Sequence, residues 1–318
     1  MNTINKNTEK QVGIKQDQIE KHATTPKRNL VVYVSLTYLV FLCLLALTGV
    51  LISLNAPSYV QIIAQNVCAW APTIVVLIMF RRLFPGVSFG EFFRRNFIGR
   101  VNPLIFLLLL VLQVAIVALA VGAQLWATGK GLNSVLLLSP SALLTTFVVT
   151  ATGGSMGEEL GWRGYLLKEL HKRHSLFMSG LLVGIVWGFW HIPLWIISGY
   201  SGISLVLYVA YFLVSIVSLS LVITVFYSRQ WNLLIPIWIH FLFNFVLRLV
   251  LMDIHPLLGW TSLGYAAFAF ILIVIERKRM FDRQNRYVED KASNHAVVTQ
   301  QMLKCPPEHR SKAWTWFA

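Results

Sequence analysis

The chain has 318 residues, of which 56% are hydrophobic and only 13% charged, against roughly a quarter charged in a soluble domain. The apolar residues arrive in long unbroken blocks, which excludes an ordinary water-soluble surface and predicts an all-α, polytopic membrane protein. The formal net charge of +14 does not call for a nucleic-acid partner, because the basic residues gather in the tails and in alternate loops.

Residues 1–29 are polar and carry both signs of charge. They lack an apolar run followed by a small-residue cleavage site, so no removable signal peptide is expected and the first apolar block should stay as an anchor. A spanning helix needs about 20 mostly apolar residues. Blocks of that kind lie at 30–54, 59–80, 103–126, 141–162, 176–198, 203–227, 232–252 and 257–275, which predicts eight spans. Asn55 and Pro57 mark the short first junction, and Asp253, His255 and Pro256 the last. Between the second and third blocks, residues 84–100 mix five phenylalanines with arginines, which reads as an interfacial amphipathic helix against anionic lipid. The domain division is a cytoplasmic tail 1–29, a transmembrane domain 30–276 and a basic cytoplasmic tail 277–318. Cys43, Cys68 and Cys305 show neither a zinc-site spacing nor a disulfide framework.

Eight spans put both termini on one side, and the loop charges test this separately. Twenty-five of the lysines and arginines fall on the side of the termini, and only Lys130 and Arg248 on the other. The positive-inside rule therefore predicts that both termini are cytoplasmic.

Acidic residues carry the chemical information. Of thirteen, only Glu158 and Glu159 lie within a predicted span, in the run Gly153-Gly154-Ser155-Met156-Gly157-Glu158-Glu159-Leu160-Gly161-Trp162-Arg163. A carboxylate at membrane depth is costly, by about 2.5–3.5 kcal/mol on insertion scales, and usually has a partner and a task. Glu159 and Arg163 are spaced i, i+4 and predict an ion pair with a structural role. Glu158 is turned by about 100° from Glu159 and is left as the carboxylate available for chemistry. Two of the eight histidines, His191 and His240, lie inside spans. Gly180, Gly184 and Gly188 form a small-residue stripe leading to His191, which should draw another helix close. Pro193 cannot donate to the carbonyl of Phe189, so a kink or a free acceptor is expected beside His191. His240 and Asn244 share one helix face at i, i+4. A buried glutamate suits a general base, and its company of two histidines and an asparagine from two other spans is hard to dismiss as packing.

These residues resemble the motifs of the CPBP family, the type II CAAX-prenyl-protease-like and bacteriocin-processing membrane proteins, also called the Abi family. Glu158, Glu159 and Arg163 meet its Glu-Glu-x-x-x-Arg motif. His191 meets Phe-x-x-x-His, with Trp187 in the place of Phe, and His240 with Asn244 meets His-x-x-x-Asn. The motif core covers 155–245. The resemblance implies an intramembrane endopeptidase that hydrolyses a peptide bond of a membrane-associated, prenylated or bacteriocin-type substrate in a cavity facing the cytoplasm. In that reading Glu158 is the general base, His191 helps to hold the water, and His240 and Asn244 steady the oxyanion, with Glu159, Arg163 and Trp187 in support. It favours a metal-independent glutamate mechanism. A divalent metal such as zinc, were one used, would fall to Glu158, His191, His240 and Asn244. Two other readings stay open: a non-catalytic immunity or scaffold protein of the same family, and a proton-coupled transporter, since buried Glu and His also line ion pathways.

Overall fold

The computed structural model describes residues 3–99, 101–129, 131, 135–137 and 139–282, with side chains described from Arg28 onward. Arg100, Lys130, Cys305 and the basic tail from Arg283 to the end, all used in the sequence reading, lie outside the described residues.

Helix α1 (Thr3–Ser53) begins within the polar stretch and carries its apolar part from Arg28 to Ser53. It ends where Asn55 takes a positive φ of 52° and Pro57 precedes α2 (Ser58–Cys68). Helix α3 (Ala71–Ile78) follows α2 at a bend of 59°. The second apolar block is therefore a bent pair rather than one rod. Pro72, in the first turn of α3, has no amide to carry the ladder through. A short α4 (Phe80–Leu83) leads to α5 (Phe89–Phe97). The amphipathic helix expected over 84–100 is thus real but shorter. Ser88 caps it by accepting from the Glu91 amide, and Phe92 is buried against Phe80 and Phe84 while Phe89 and Phe93 stay exposed.

Helix α6 (Pro103–Thr128) starts at the Asn102 cap and stops at Gly129, whose φ of 67° suits only glycine comfortably. The fourth block is broken into α7 (Pro140–Thr150), a wide π-type turn over Ala151–Ser155, α8 (Met156–Glu159), a second wide turn over Leu160–Leu167, and α9 (Lys168–His171). The fifth splits into α10 (Leu176–Trp190) and α11 (Ile192–Ile196), with the break at His191 just before Pro193. Helix α12 (Gly202–Gln230) is unbroken, α13 (Leu234–Arg248) is short, and α14 (Ile254–Ile275) leads to α15 (Arg277–Phe281). Among the described residues no strand forms; Leu136 and Val250 make an isolated bridge.

Four described helices are long and apolar enough to cross a membrane, and five if the bent pair α2–α3 is one span. The remaining three apolar blocks are present as helix, but shortened or interrupted, so helix length alone does not reproduce the count of eight. Several such segments in one chain make it a multi-pass membrane protein.

The core gathers around α12, whose residues from Ser215 to Tyr227 are mostly buried between α10 and α14. The glycine stripe does what its spacing predicts. A Cβ at Gly184 would lie 3.0 Å from the Val217 backbone and the Ser220 Cβ of α12, and Ser220 Oγ donates to the Gly180 carbonyl at 2.8 Å. On the far side, α13 crosses the broken helix at its wide turn, and α3 lies along α8. These crossings set three polar helices around one point.

Candidate functional site

Glu158 and Glu159 sit on the single turn α8 between the two wide turns, 4% and 0% exposed. Their side chains leave in different directions, as the 100° step requires, and find different partners.

Glu159 takes the structural pair. Arg163 Nη1 donates to its Oε1 at 2.9 Å, and both side chains are fully buried. The Arg163 guanidinium also stacks over the Trp187 ring, 4.4 Å from its centroid. The same Glu159 oxygen accepts from His240 Nδ1 at 2.8 Å. The sequence reading grouped His240 with Glu158; the structure instead ties its Nδ1 to Glu159. A carboxylate can only accept from that nitrogen, so His240 carries a proton on Nδ1 and turns Nε2 the other way.

Glu158 is not the unmatched carboxylate that spacing suggested. Its Oε2 accepts from two indoles, Trp187 Nε1 at 2.5 Å and Trp162 Nε1 at 3.3 Å. The first crosses from α10. The second is an i, i+4 neighbour, and that spacing was available in the sequence as a signal. The other oxygen, Oε1, makes no hydrogen bond among the described residues. It faces Gly154, where the missing side chain leaves space. Oε1 lies 2.7 Å, and His240 Nε2 and Cε1 each 3.4 Å, from the point a Cβ at 154 would occupy. A carboxylate oxygen and an imidazole nitrogen, each with its other atom anchored, thus both lie against Gly154.

Trp187 links the group. Its N–H holds Glu158, its face holds Arg163, and its ring lies edge to face with His240, centroids 4.9 Å apart. Phenylalanine, the residue of the family pattern, has no such donor. His191 closes α10 one turn later. Its amide bonds back to Gly188 at 3.0 Å, and its Nδ1 donates to the Trp187 carbonyl at 2.8 Å. The acceptor that His191 meets is the Trp187 carbonyl and not that of Phe189, which takes a backbone amide at the helix end, and the bond leaves His191 Nε2 as a lone-pair nitrogen. Its ring packs on Trp190 and Phe212. Asn244 follows His240 by one turn of α13 and is half-buried. Its amide makes no hydrogen bond among the described residues, so it stands beside the site and not in its network.

Among the described residues no three His, Cys, Asp or Glu side chains converge as ligands. Glu158, His191 and His240 each have one polar atom committed to the protein and one uncommitted, an arrangement that a water or a metal ion could use.

Residues 140–246 match the family model described as type II CAAX prenyl endopeptidase, Rce1-like. Over 131 residues the chain is 30% identical to a protein of Methanococcus maripaludis named CAAX prenyl protease 2, a match covering 40% of this chain and 48% of that protein. The chain thus spans about half the length of that relative. The stretch 140–246 holds Glu158, Glu159, Arg163, Trp187, His191, His240 and Asn244, and it is this segment that is similar to the Rce1-like type II CAAX prenyl endopeptidases.

Proposed function

We propose that the chain is an intramembrane endopeptidase of the CAAX type that hydrolyses a peptide bond of a membrane-associated substrate with water activated by Glu158. The observation that carries this reading is the half-anchored carboxylate: Oε2 fixed by two indole N–H groups, Oε1 without a hydrogen bond and lying against Gly154, as His240 Nε2 also does. A general base needs one oriented lone pair, and this arrangement supplies it.

Glu158 Oε1 takes a proton from the water as its oxygen bonds to the scissile carbonyl carbon. The carbonyl oxygen gains the negative charge. His240 donates to that oxyanion when Nε2 as well as Nδ1 is protonated, and the Glu159 carboxylate on Nδ1 supplies the counter-charge for that cation. His191 accepts from the water through Nε2. As the C–N bond breaks, the proton held by Glu158 passes to the leaving amine. Asn244, one turn from His240, is assigned to the oxyanion side. The surplus of basic residues flanking the spans supports a cavity that opens to the cytoplasm, with both termini on that face of the cell membrane.

The test is cleavage of a prenylated CAAX-box peptide and its unprenylated control by the protein in liposomes. Glu158→Gln should lower the rate by about 10²–10⁴-fold, the usual contribution of a positioned base, while the protein stays inserted and folded. Wild-type cleavage by Glu158→Gln overturns the assignment. Bacteriocin protection that survives this substitution favours the immunity role, and ion flux without product favours the transporter.

A further inference from the structure

The helix that carries Glu158 is broken just before it, at Gly153, whose ψ of −125° no helix contains. Such a break leaves carbonyls without the amide that would normally face them, and in a membrane they must be satisfied from within the protein. Here the four carbonyls of the preceding turn all have side-chain donors. Ser155 Oγ lies 3.0 Å from the Thr150 carbonyl and 3.4 Å from that of Ala151. The other two donors come from a different helix pair. Asn66 Nδ2 reaches the Val149 carbonyl at 3.4 Å and Thr152 Oγ1 at 3.1 Å, and Trp70 Nε1 donates to the Thr152 carbonyl at 2.8 Å.

Asn66 and Trp70 are four residues apart, at the bend between α2 and α3, and they also fit the glycines of the broken helix. A Cβ at Gly153 would lie 3.0 Å from Asn66 Oδ1. One at Gly157 would lie 2.8 Å from Trp70 Cδ1 and 2.9 Å from the Ala69 carbonyl. Gly157 immediately precedes Glu158. The bend in α2–α3 and the break at Gly153 are therefore two halves of one joint, with the donors on one side and the freed carbonyls on the other.

We propose that Asn66 and Trp70 are positioning residues that hold the break at Gly153 and so fix where Glu158 Oε1 stands relative to His240. The inference rests on the role given to Glu158 above. Trp70→Phe keeps the ring against Gly157 and removes the donor, and Asn66→Leu removes the other.

Three readouts separate positioning from mere packing. Each variant should lower kcat by about tenfold or more, toward the roughly 10²-fold that a misplacement of about 1 Å costs, with KM held. The thermal midpoint in detergent should stay near wild type. With a ¹³C=¹⁸O label at Thr152, Trp70→Phe should move the amide band to higher wavenumber, reporting the lost hydrogen bond directly. Trp126→Phe, at an exposed indole far from the joint, should change none of these. An unshifted band, or an unchanged kcat in a Trp70→Phe protein whose band has moved, overturns the proposal while Glu158→Gln remains inactive. Wild-type cleavage by Glu158→Gln instead overturns the underlying reading, and the positioning role with it.

Discussion

Helix α12 and the segment 140–171 lie in one bundle and are built on opposite principles. Helix α12 runs 29 residues without a break and meets its neighbours through small and apolar side chains. The segment 140–171 spans a similar length yet is interrupted by two wide turns, and within it Glu158, Glu159 and Arg163 are almost fully buried. The regular helix places backbones; the broken one places charges. A buried ion pair contributes little net stability, because desolvation offsets much of the attraction, but it is damaging to leave half of one behind. The two regions should therefore fail differently when changed.

The largest effect on stability should come from Arg163→Ala. It leaves the buried Glu159 carboxylate with His240 as its remaining partner and removes the cation stacked on Trp187. Breaking a buried pair in this way costs about 3–5 kcal/mol, which denaturant unfolding in detergent would read as a large fall in midpoint. A midpoint within error of wild type would show that the pair is not buried as described. Next comes Trp187→Phe. It keeps an aromatic ring, and the residue of the family pattern, while removing the N–H that holds Glu158. A hydrogen bond to a charged group contributes about 1.5–3 kcal/mol, so if that bond orients the base, kcat should fall about ten- to hundredfold. An undiminished kcat would mean that Trp162 alone suffices.

The regular region should answer more mildly and according to what each glycine faces. At Gly184 an added Cβ meets backbone of α12 at 3.0 Å, which cannot swing aside, whereas at Gly188 it meets the far end of Leu213. Overpacking costs about 1–3 kcal/mol, and alanine regains about 1 kcal/mol over glycine within a helix. Gly184→Ala should therefore destabilise by up to about 2 kcal/mol, and Gly188→Ala by clearly less. Equal losses at the two positions would sink the contrast.

The same contrast explains what was legible beforehand. The apolar blocks, the Glu159–Arg163 pair and the glycine stripe follow from composition and helical spacing, which are local rules, and each stands in the structure. The kink at His191 was also readable, from Pro193. Pro72 carried the same kind of signal for the bend at Trp70, but the second block was read as one span; the break at Gly153 was not readable, because an apolar run reads as one rod whether or not a neighbouring helix supplies donors for a bend. The bond from His240 Nδ1 to Glu159 was not readable for a related reason: spacing along α13 fixes which face His240 occupies, and only the crossing with α8 decides which glutamate its Nδ1 meets. Trp187 entered the sequence reading only as the stand-in for the phenylalanine of the pattern. Its role as a donor depends on a contact between residues 29 positions apart.

The smallest effect lies at the end of the regular region, where α12 is tied to α15. Arg229 and Arg279 both donate to Glu276, the latter at 3.0 Å, and Arg279 also reaches the Val225 carbonyl at 2.7 Å. Partial burial works to raise the Glu276 carboxyl, but the hydrogen bonds and charges of the two arginines outweigh it and hold the group below its ordinary range. A carboxyl depressed in the folded state stabilises the fold above its unfolded pKa of about 4.3, and that stability is lost as pH falls through the lower folded value. With the Arg229 side chain 41% exposed, the whole cluster should contribute less than about 1 kcal/mol. Thermal midpoints of wild type and Glu276→Gln should thus differ slightly at pH 7 and converge toward pH 3, with the difference shrinking in high salt. A gap that persists or widens in acid would show that Glu276 acts through packing rather than charge, and would make this end of α12 depend on buried polar contacts much as the segment 140–171 does.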